Sequence, residues 1–327
     1  MSDDVLRIHL SQRAMGTDFE VFLPQPSPAE HLETAVQALD ALEWMERQLT
    51  VYDPASELSA VNRRAAERPV RVGAILWEIL QAADQYWRWT CGAFDPSAGP
   101  LVRAWGFIGR SGRRPEREEI EQTLRRVGWQ HLELDPLAQT VRFGRPGMEL
   151  NLGGIGKGYA LDWIAQRLEK GGVTDFLIHG GNSSIVARGS GTGRDEERGW
   201  RIGVRHPQRK RKRIAGLLLD QQSLSTSGSG NRFFHSQGKR YSHVIDPRTG
   251  LPGGGEFLSL TVVTPSATAA DALSTGLLLG GTPMIEALCR EHPEIGVLGV
   301  VSGGGSSEKP SDVVLKHWNL PQLFVDR

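Results

Sequence analysis

The apolar positions of this chain recur with two periods, and the period changes along the sequence. Between residues 29 and 49 they recur at helical spacing, and the same spacing returns over residues 74–90. Over residues 18–23 they alternate with polar residues, as in a strand with one buried face. The pattern therefore predicts an N-terminal strand followed by two long amphipathic helices.

The rest of the chain mixes short apolar runs with helical stretches. Strands are predicted at residues 132–134, 140–143, 148–152, 175–179, 184–187, 200–204, 214–219, 241–245, 258–263 and 295–301. Helices are predicted at about 115–127 and at 268–279 and 284–290. A further amphipathic helix carries Leu161, Ile164, Ala165 and Leu168 on one stripe. Because many strands follow one another directly, the order predicts an α+β fold rather than a doubly wound parallel sheet. No repeat or linker divides the chain, so residues 1–327 are expected to form a single domain.

Composition narrows the class of protein. The 38 Lys and Arg residues balance 38 Asp and Glu residues, so net charge favours neither nucleic acid nor an anionic membrane as a partner. The basic run 209–213 is expected to be a solvated hairpin loop. Cys91 and Cys289 are far apart and predicted to be reduced. With two acids near the start, no lipid-attachment Cys and no membrane-spanning run, we expect a cytoplasmic location, or a periplasmic one if a leader was removed.

A glycine-rich stretch, Asn151 to Asp162, joins an apolar run to an amphipathic helix. Glycines allow a sharp turn there, and the following helix N-terminus presents N–H donors suited to a phosphate. The stretch is not a Walker A loop, because Asn151 and Gly158 occupy the positions of its first Gly and its hydroxyl residue. An ordinary strand-to-helix connection remains the alternative.

Three further clusters carry chemistry. On a helix, Asp271, Ser274 and Thr275 would share one face as hard oxygen ligands for Mg²⁺, or serve only as helix caps. His243 lies in the predicted strand 241–245, before a turn at Asp246-Pro247, and could act as a general base, or be structural. Residues 224–232 form a predicted hydroxyl-rich loop that ends in the cation Arg232 and could surround an anionic oxygen. Tyr52, Phe94 and Trp105 lie near turns, where aromatic rings either stack on a planar cofactor or pack in the core.

Taken together, these motifs resemble the FAD:protein FMN transferases of the ApbE family. The matching segments occur in the family's order from near residue 14 to near residue 281, so the series is specific although each piece is weak. They are residues 14–17, Tyr52 with 56–62, 92–102, 152–162, 180–182, 225–228, 242–250 and 270–275.

The resemblance implies a T-fold-like mixed sheet core with a smaller α/β subdomain and FAD bound in the cleft between them. It implies Mg²⁺-dependent transfer of FMN from FAD to a Ser or Thr hydroxyl of an acceptor protein, with release of AMP. His243 would be the base, and Gly154, Asp271 and Thr275 the metal ligands, with Lys157 or Arg232 assisting at the phosphates. The flavin contacts would fall on Met15, Tyr52, Ala93, Phe94, Asp95, Asn151, Lys157, Thr226, Ser227 and Ile245.

Three positions depart from the family pattern. Asn151, Asn182 and Ser229 stand where family members usually carry Asp, so three negative charges are lost. The departures leave two alternatives open beside the transferase: a Mg²⁺-dependent FAD pyrophosphatase that gives FMN and AMP, and a protein that binds FAD without turnover.

Overall fold

The structure is a computed structural model. It describes residues 7–109, 112–191, 199–209, 211–228, 233–236, 239–303, 313–321 and 323–324. The helices are α1 (Ala29–Leu49), α2 (Glu57–Arg64), α3 (Ala74–Trp89), α4 (Gly99–Ala104), α5 (Arg117–Leu124), α6 (Gly156–Lys170) and α7 (Ala267–Glu291). The strands are β1 (Arg7–Ala14), β2 (Thr17–Pro24), β3 (Val70–Arg71), β4 (Leu132–Asp135), β5 (Thr140–Phe143), β6 (Phe176–Gly180), β7 (Ser184–Arg188), β8 (Trp200–Arg205), β9 (Arg213–Leu219), β10 (Gln222–Gly228), β11 (Phe233–Ser236), β12 (Lys239–Ser242), β13 (Ser259–Thr264), β14 (Gly296–Ser302), β15 (Val313–Trp318) and β16 (Leu323–Phe324).

The main sheet has eight strands in the order β1-β2-β6-β7-β10-β13-β14-β15. Every neighbouring pair in it is antiparallel. Short hairpin turns join β1 to β2 and β6 to β7, and a tight turn reverses the chain and so imposes this direction. The predicted α+β fold is confirmed.

The two faces of the main sheet are covered by different layers. Leu260 and Val262 of β13 pack into a core with α1, α3, α6 and α7, whereas Val263 packs into a second core with residues of β8 and β9. Alternate residues of a strand point to opposite faces, so the helices lie on one face and the three-stranded sheet β16-β9-β8 lies on the other.

A smaller part of the fold is built from β3, which precedes α3, and from residues between α3 and α6. It holds the sheet β3-β5-β4 and a separate apolar cluster under α4 and α5 that includes Leu101, Trp105 and Ile120. The main helical core nevertheless includes Val141 and Phe143 of β5, so its packing is continuous with the small sheet.

Several predicted elements are wrong in detail. Residues 224–228, expected within a loop, belong to β10 in the middle of the main sheet, because pairing with β7 and β13 satisfies their backbone. Residues 148–152 form only an isolated bridge between Glu149 and Ala98. Val36, one of the apolar positions that recur at helical spacing in residues 29–49, is exposed on α1. The predicted strand 241–245 is shorter, since β12 ends at Ser242.

Helix α7 joins the two helices predicted at its ends. Its backbone breaks at Gly281, where φ is +71°, and Pro283 follows. By length and hydropathy alone it is the one helix of the described ranges that is long and apolar enough to cross a membrane, a property that the core helix of a folded domain can share. Its first two turns, Ala267 to Ser274, are buried in the fold, and they carry Asp271.

Candidate active site at the junction of two helices

The glycine-rich stretch allows α6 and α7 to touch at their N-terminal ends. A Cβ atom on Gly158 would lie 2.2 Å from the carbonyl oxygen of Ala267 and 2.8 Å from the Cβ of Asp271. Only glycine fits such a close approach of two backbones. Gly158 therefore brings the first turn of α6, with Lys157, against the first turns of α7.

An ion pair between a buried carboxylate and a partly exposed lysine lies at this contact. Lys157 Nζ is 3.3 Å from Asp271 Oδ1, and the backbone N–H of Gly158 donates to Asp271 Oδ2 at 3.1 Å. Asp271 is 4% exposed. Its carboxylate lies at the N-terminal turn of α6, where the helix dipole stabilises negative charge. One helix thus supplies the cation and one backbone donor, and the other supplies the anion.

Hydroxyl groups from the main sheet complete the contact. Ser225 Oγ donates to Asp271 Oδ1 at 3.2 Å and lies 2.9 Å from Ser184 Oγ, which accepts from Lys157 Nζ at 3.4 Å. Ser227, two residues along β10, has its Oγ 3.1 Å from Thr275 Oγ1. We call the set Lys157, Ser184, Ser225, Ser227, Asp271 and Thr275 the polar junction.

Ser184 is the member that sequence reasoning missed. It opens β7, all of whose following residues up to Ala187 are buried and apolar, and it is itself fully buried. A lone hydroxyl in a buried apolar strand was the available signal, because buried polar groups need a hydrogen-bond partner.

A second carboxylate locks the same two helices. Asp162 of α6 accepts from the backbone N–H groups of Ala267 and Thr268, both at 2.8 Å. It also accepts from the hydroxyls of Ser266 at 2.7 Å and Thr268 at 2.6 Å. Each helix therefore has its N-terminal donors satisfied by a carboxylate from the other, Asp162 for α7 and Asp271 for α6.

The three residues assigned to Mg²⁺ by resemblance fall at the polar junction. A Cβ on Gly154 would lie 3.5 Å from Thr275 Oγ1, and Thr275 is one turn beyond Asp271 on α7. A carboxylate, a hydroxyl and a carbonyl are all hard oxygen donors, which fits Mg²⁺. Within the described ranges no three His, Cys, Asp or Glu side chains converge as a metal site, so Asp271 would be the charged ligand of such a set.

The loop after α3, residues 90–98, packs against Gly154 through Phe94. Phe94 is buried, and its ring lies 3.4 Å from the position of a Cβ on Gly154. Its backbone N–H donates to Thr90 Oγ1 at 3.1 Å, while Ala93 beside it is buried. Asp95 accepts from the N–H groups of Ser97 at 2.7 Å and Trp129 at 3.0 Å, and burial raises the pKa of its carboxyl. These bonds fix the loop against Gly154.

The Asn residues that replace the family's Asp have local roles. Asn151 Oδ1 accepts from the N–H of Gly153 at 2.9 Å, and its own N–H donates to the carbonyl of Pro96 at 2.8 Å, which joins the glycine-rich stretch to the Asp95 loop. Asn182 has φ of +60°, a left-handed conformation that Asn and Asp tolerate better than most residues. Ser229, and the candidate cation Arg232, lie outside the described residues.

The predicted aromatic contacts divide into exposed and buried groups. Tyr52 is 68% exposed, so its ring is accessible to a ligand. Trp105 is buried, and its Nε1 donates to the carbonyl of Gly250 at 2.8 Å, so it packs in the core. Met15 lies in the β1–β2 turn with φ of +53°.

Thr226 and Ile245, two of the flavin contacts implied by the resemblance, lie apart from the polar junction. Thr226 Oγ1 is 2.8 Å from Thr261 Oγ1, on the face of β10 opposite to Ser225 and Ser227. Ile245 is buried in the small cluster with Leu101 and Trp105.

His243 lies among aromatic rings just after β12. Its ring stands edge-on to Phe107 with 6.4 Å between centroids, and Phe107 in turn contacts Phe234 at 5.6 Å. Tyr241 stacks on Phe234 at 5.3 Å and meets Trp105 at 5.5 Å. We call Trp105, Phe107, Phe234, Tyr241 and His243 the aromatic cluster.

Comparison with solved structures shows the same fold elsewhere. The chain superposes on the ApbE protein of Thermotoga maritima with a TM-score of 0.82 and 28% identity, over 92% of this chain and 96% of that one. On the flavin transferase ApbE of Vibrio cholerae the TM-score is 0.80 with 29% identity, over 96% of this chain and 97% of the other.

Comparison of sequences gives the same relation. The chain is 31% identical over 322 residues to a FAD:protein FMN transferase of Klebsiella pneumoniae (strain 342), covering 96% of this chain and 87% of the relative. It is 31% identical over 281 residues to the enzyme of that name in Vibrio cholerae, covering 84% and 82%. The profile of the ApbE family matches residues 15–298. This chain therefore belongs to the ApbE family.

Proposed function

We propose that this protein transfers FMN from FAD to a hydroxyl group of an acceptor protein. The relatives named above carry this activity in their names, and the family covers nearly the whole chain. The observation in this molecule that carries the proposal is the polar junction. A lysine, a buried carboxylate and several hydroxyls converge there beside the glycine-rich turn, in which Gly153 is exposed.

The reaction exchanges one phosphorus–oxygen bond for another. A Ser or Thr oxygen of the acceptor attacks the phosphorus of the FMN half of FAD, and the bond from that phosphorus to the bridging oxygen breaks. AMP leaves with the electron pair of that bond. The hydroxyl proton passes to a base, for which His243 is the candidate, because an imidazole can accept a proton near neutral pH.

The junction would stabilise charge on the pyrophosphate. Lys157 is partly exposed, and its Nζ can contact a phosphate oxygen while Asp271 and Ser184 hold its side chain. Gly154, Asp271 and Thr275 would hold Mg²⁺, which when bound neutralises phosphate oxygens and stabilises the leaving group. Fixed charges of this kind lower the barrier because they need no rearrangement during the reaction.

The flavin would lie between Tyr52 and the Ala93–Asp95 loop. The exposed ring of Tyr52 offers a stacking surface, and Phe94 backs the turn at Gly154. Met15, Asn151 and Ser227 would border this site.

Incubation of the protein with FAD and Mg²⁺ tests the proposal. Peptides that contain a single Thr or Ser would serve as acceptors, with Ala versions as controls. We expect a flavin-labelled peptide by mass spectrometry and an equal amount of AMP, both abolished by EDTA. FMN and AMP formed at the same rate without any acceptor would instead identify a pyrophosphatase. Unchanged FAD in every mixture would identify a binding protein.

A further inference from the structure

The sheet β16-β9-β8 has one covered and one open side. Its inner side packs on the main sheet through Trp200, Val204 and Leu217. Directly opposite residues of paired strands share a face, so the pairs Arg201–Leu218 and Gly203–Gly216 belong to the other side, which we call the outer side. Arg201 and Gly203 are exposed there. The outer side therefore faces solvent, on the layer opposite to α6 and α7.

Positive charge is concentrated on the outer side and on the turn between β8 and β9. The exposed cationic residues are Arg201, Arg205, Arg209, Arg211, Lys212 and Arg213. Within the part of the chain that the structure describes, none of the six forms an ion pair with a carboxylate. The balanced charge of the whole chain conceals this local excess.

The turn that carries three of these cations is held by a buried histidine. His206 Nδ1 accepts from the backbone N–H groups of Gln208 at 3.1 Å and Arg209 at 3.2 Å. The His206 N–H donates to the carbonyl of Lys212 at 2.8 Å. Since the backbone at both ends of the turn is already fixed, the cations are presented together, and binding costs less conformational entropy.

Apolar surface adjoins the charges. The ring of Phe324 covers Gly216, where a Cβ atom would lie 1.9 Å from it, and Phe324 is itself exposed. An open cleft of about 430 Å³ lies beside it, lined by Arg201, Leu218, Pro321, Leu323 and Phe324. Arg201 is thus shared by the cleft and the cationic surface. A surface with exposed apolar groups next to unpaired cations fits the interface of an anionic bilayer.

We propose that the outer side binds the surface of a membrane that contains anionic phospholipids. The cations contact the headgroups, and Phe324 with the adjoining cleft takes up apolar chain segments at the boundary. An acceptor protein is a weaker candidate, because its hydroxyl must reach the polar junction on the other face of the main sheet. A bilayer on the outer side leaves that junction open.

Vesicle co-sedimentation tests this proposal. The full chain should sediment with phosphatidylcholine vesicles that contain phosphatidylglycerol, and stay in solution with phosphatidylcholine alone. Each basic residue near an anionic surface contributes about 1 kcal/mol, so the triple variant R209Q/R211Q/K212Q should partition about 100-fold more weakly. The single variant Phe324→Ser should lose about tenfold.

The control changes the same charge elsewhere. R64Q/R68Q/R71Q removes three exposed arginines on and after α2 and should sediment like the wild type. An equal loss in this control, or equal binding to neutral vesicles, would overturn the proposal. So would capture of the protein by duplex DNA with no vesicle binding. Cleavage of FAD in solution should be unchanged in R209Q/R211Q/K212Q, which separates this result from a failure of the proposed function.

Discussion

The polar junction and the aromatic cluster hold their candidate catalytic groups in opposite surroundings. At the junction, both oxygens of Asp271 accept hydrogen bonds, and its charge is paired with Lys157. In the aromatic cluster, His243 lies edge-on to Phe107, within a set of stacked and tilted rings. One region pairs a fixed charge with its partner, and the other sets an ionisable ring edge-on to an aromatic one.

The difference assigns different tasks to the two regions. A paired, hydrogen-bonded charge keeps its position and its ionisation, which suits electrostatic stabilisation of a phosphate. A histidine must instead change its protonation state during a reaction, which suits a general base. Variants in the two regions should therefore fail in different ways.

The largest effect is expected from His243→Asn. Asn cannot take up a proton near pH 7, and a positioned base contributes roughly 100- to 10,000-fold, so FMN transfer should fall by a factor in that range. FAD binding, measured by flavin fluorescence, should persist. The wild-type rate should decline at acidic pH, because a protonated imidazole accepts no proton, and the variant should lack this decline. Normal transfer by the variant would remove His243 from the chemistry.

Asp271→Asn should reduce AMP release by about 100- to 1,000-fold. Asn retains an oxygen for the Gly158 N–H but loses the charge that faces Lys157 and the proposed Mg²⁺. The rate measured against Mg²⁺ concentration checks this, and circular dichroism should show an intact fold. If this variant keeps the wild-type dependence on Mg²⁺, the two regions do not differ as described.

Asp162→Asn should lower the rate by about tenfold without direct contact to substrate. It weakens the bonds that align α7 with α6, and loss of a group that orients metal ligands typically costs 10- to 100-fold, so we expect the lower end. The half-saturating Mg²⁺ concentration should rise by a similar factor. Asp175→Asn is the matched control, since Asp175 also accepts from a backbone N–H and a serine hydroxyl, but at the start of β6. A lower melting temperature with unchanged Mg²⁺ dependence would make Asp162 purely structural.

The smallest effect is expected from Tyr52→Ala, which removes an exposed ring outside both regions. Lost stacking of about 1 kcal/mol corresponds to about fivefold weaker FAD affinity in a fluorescence titration. Tyr52→Phe keeps the ring and should bind like the wild type. Equal affinity of Tyr52→Ala and the wild type would exclude Tyr52 from the flavin site.

Tertiary packing changed several predictions that were made from local pattern. The hydroxyl-rich segment 224–228 has the composition of a loop, yet its neighbours β7 and β13 draw it into the sheet. This pairing turns Ser225 and Ser227 toward α7 and Thr226 away from it, a division that composition alone could not give. The assignments of flavin and metal contacts remain predictions.

The sequence by itself determined the long helices, the α+β class and the family. Periodicity depends on which side of each element is buried, and α1 spans the predicted residues 29–49. Only the tertiary structure decided that Asp162 of α6 accepts from the N-terminal N–H groups of α7, while Asp271 of α7 accepts from one of α6. It also decided that Ser184 hydrogen-bonds to Ser225 beside Asp271. The physical reason is that such contacts join residues about 40 to 110 positions apart, beyond the reach of any local pattern.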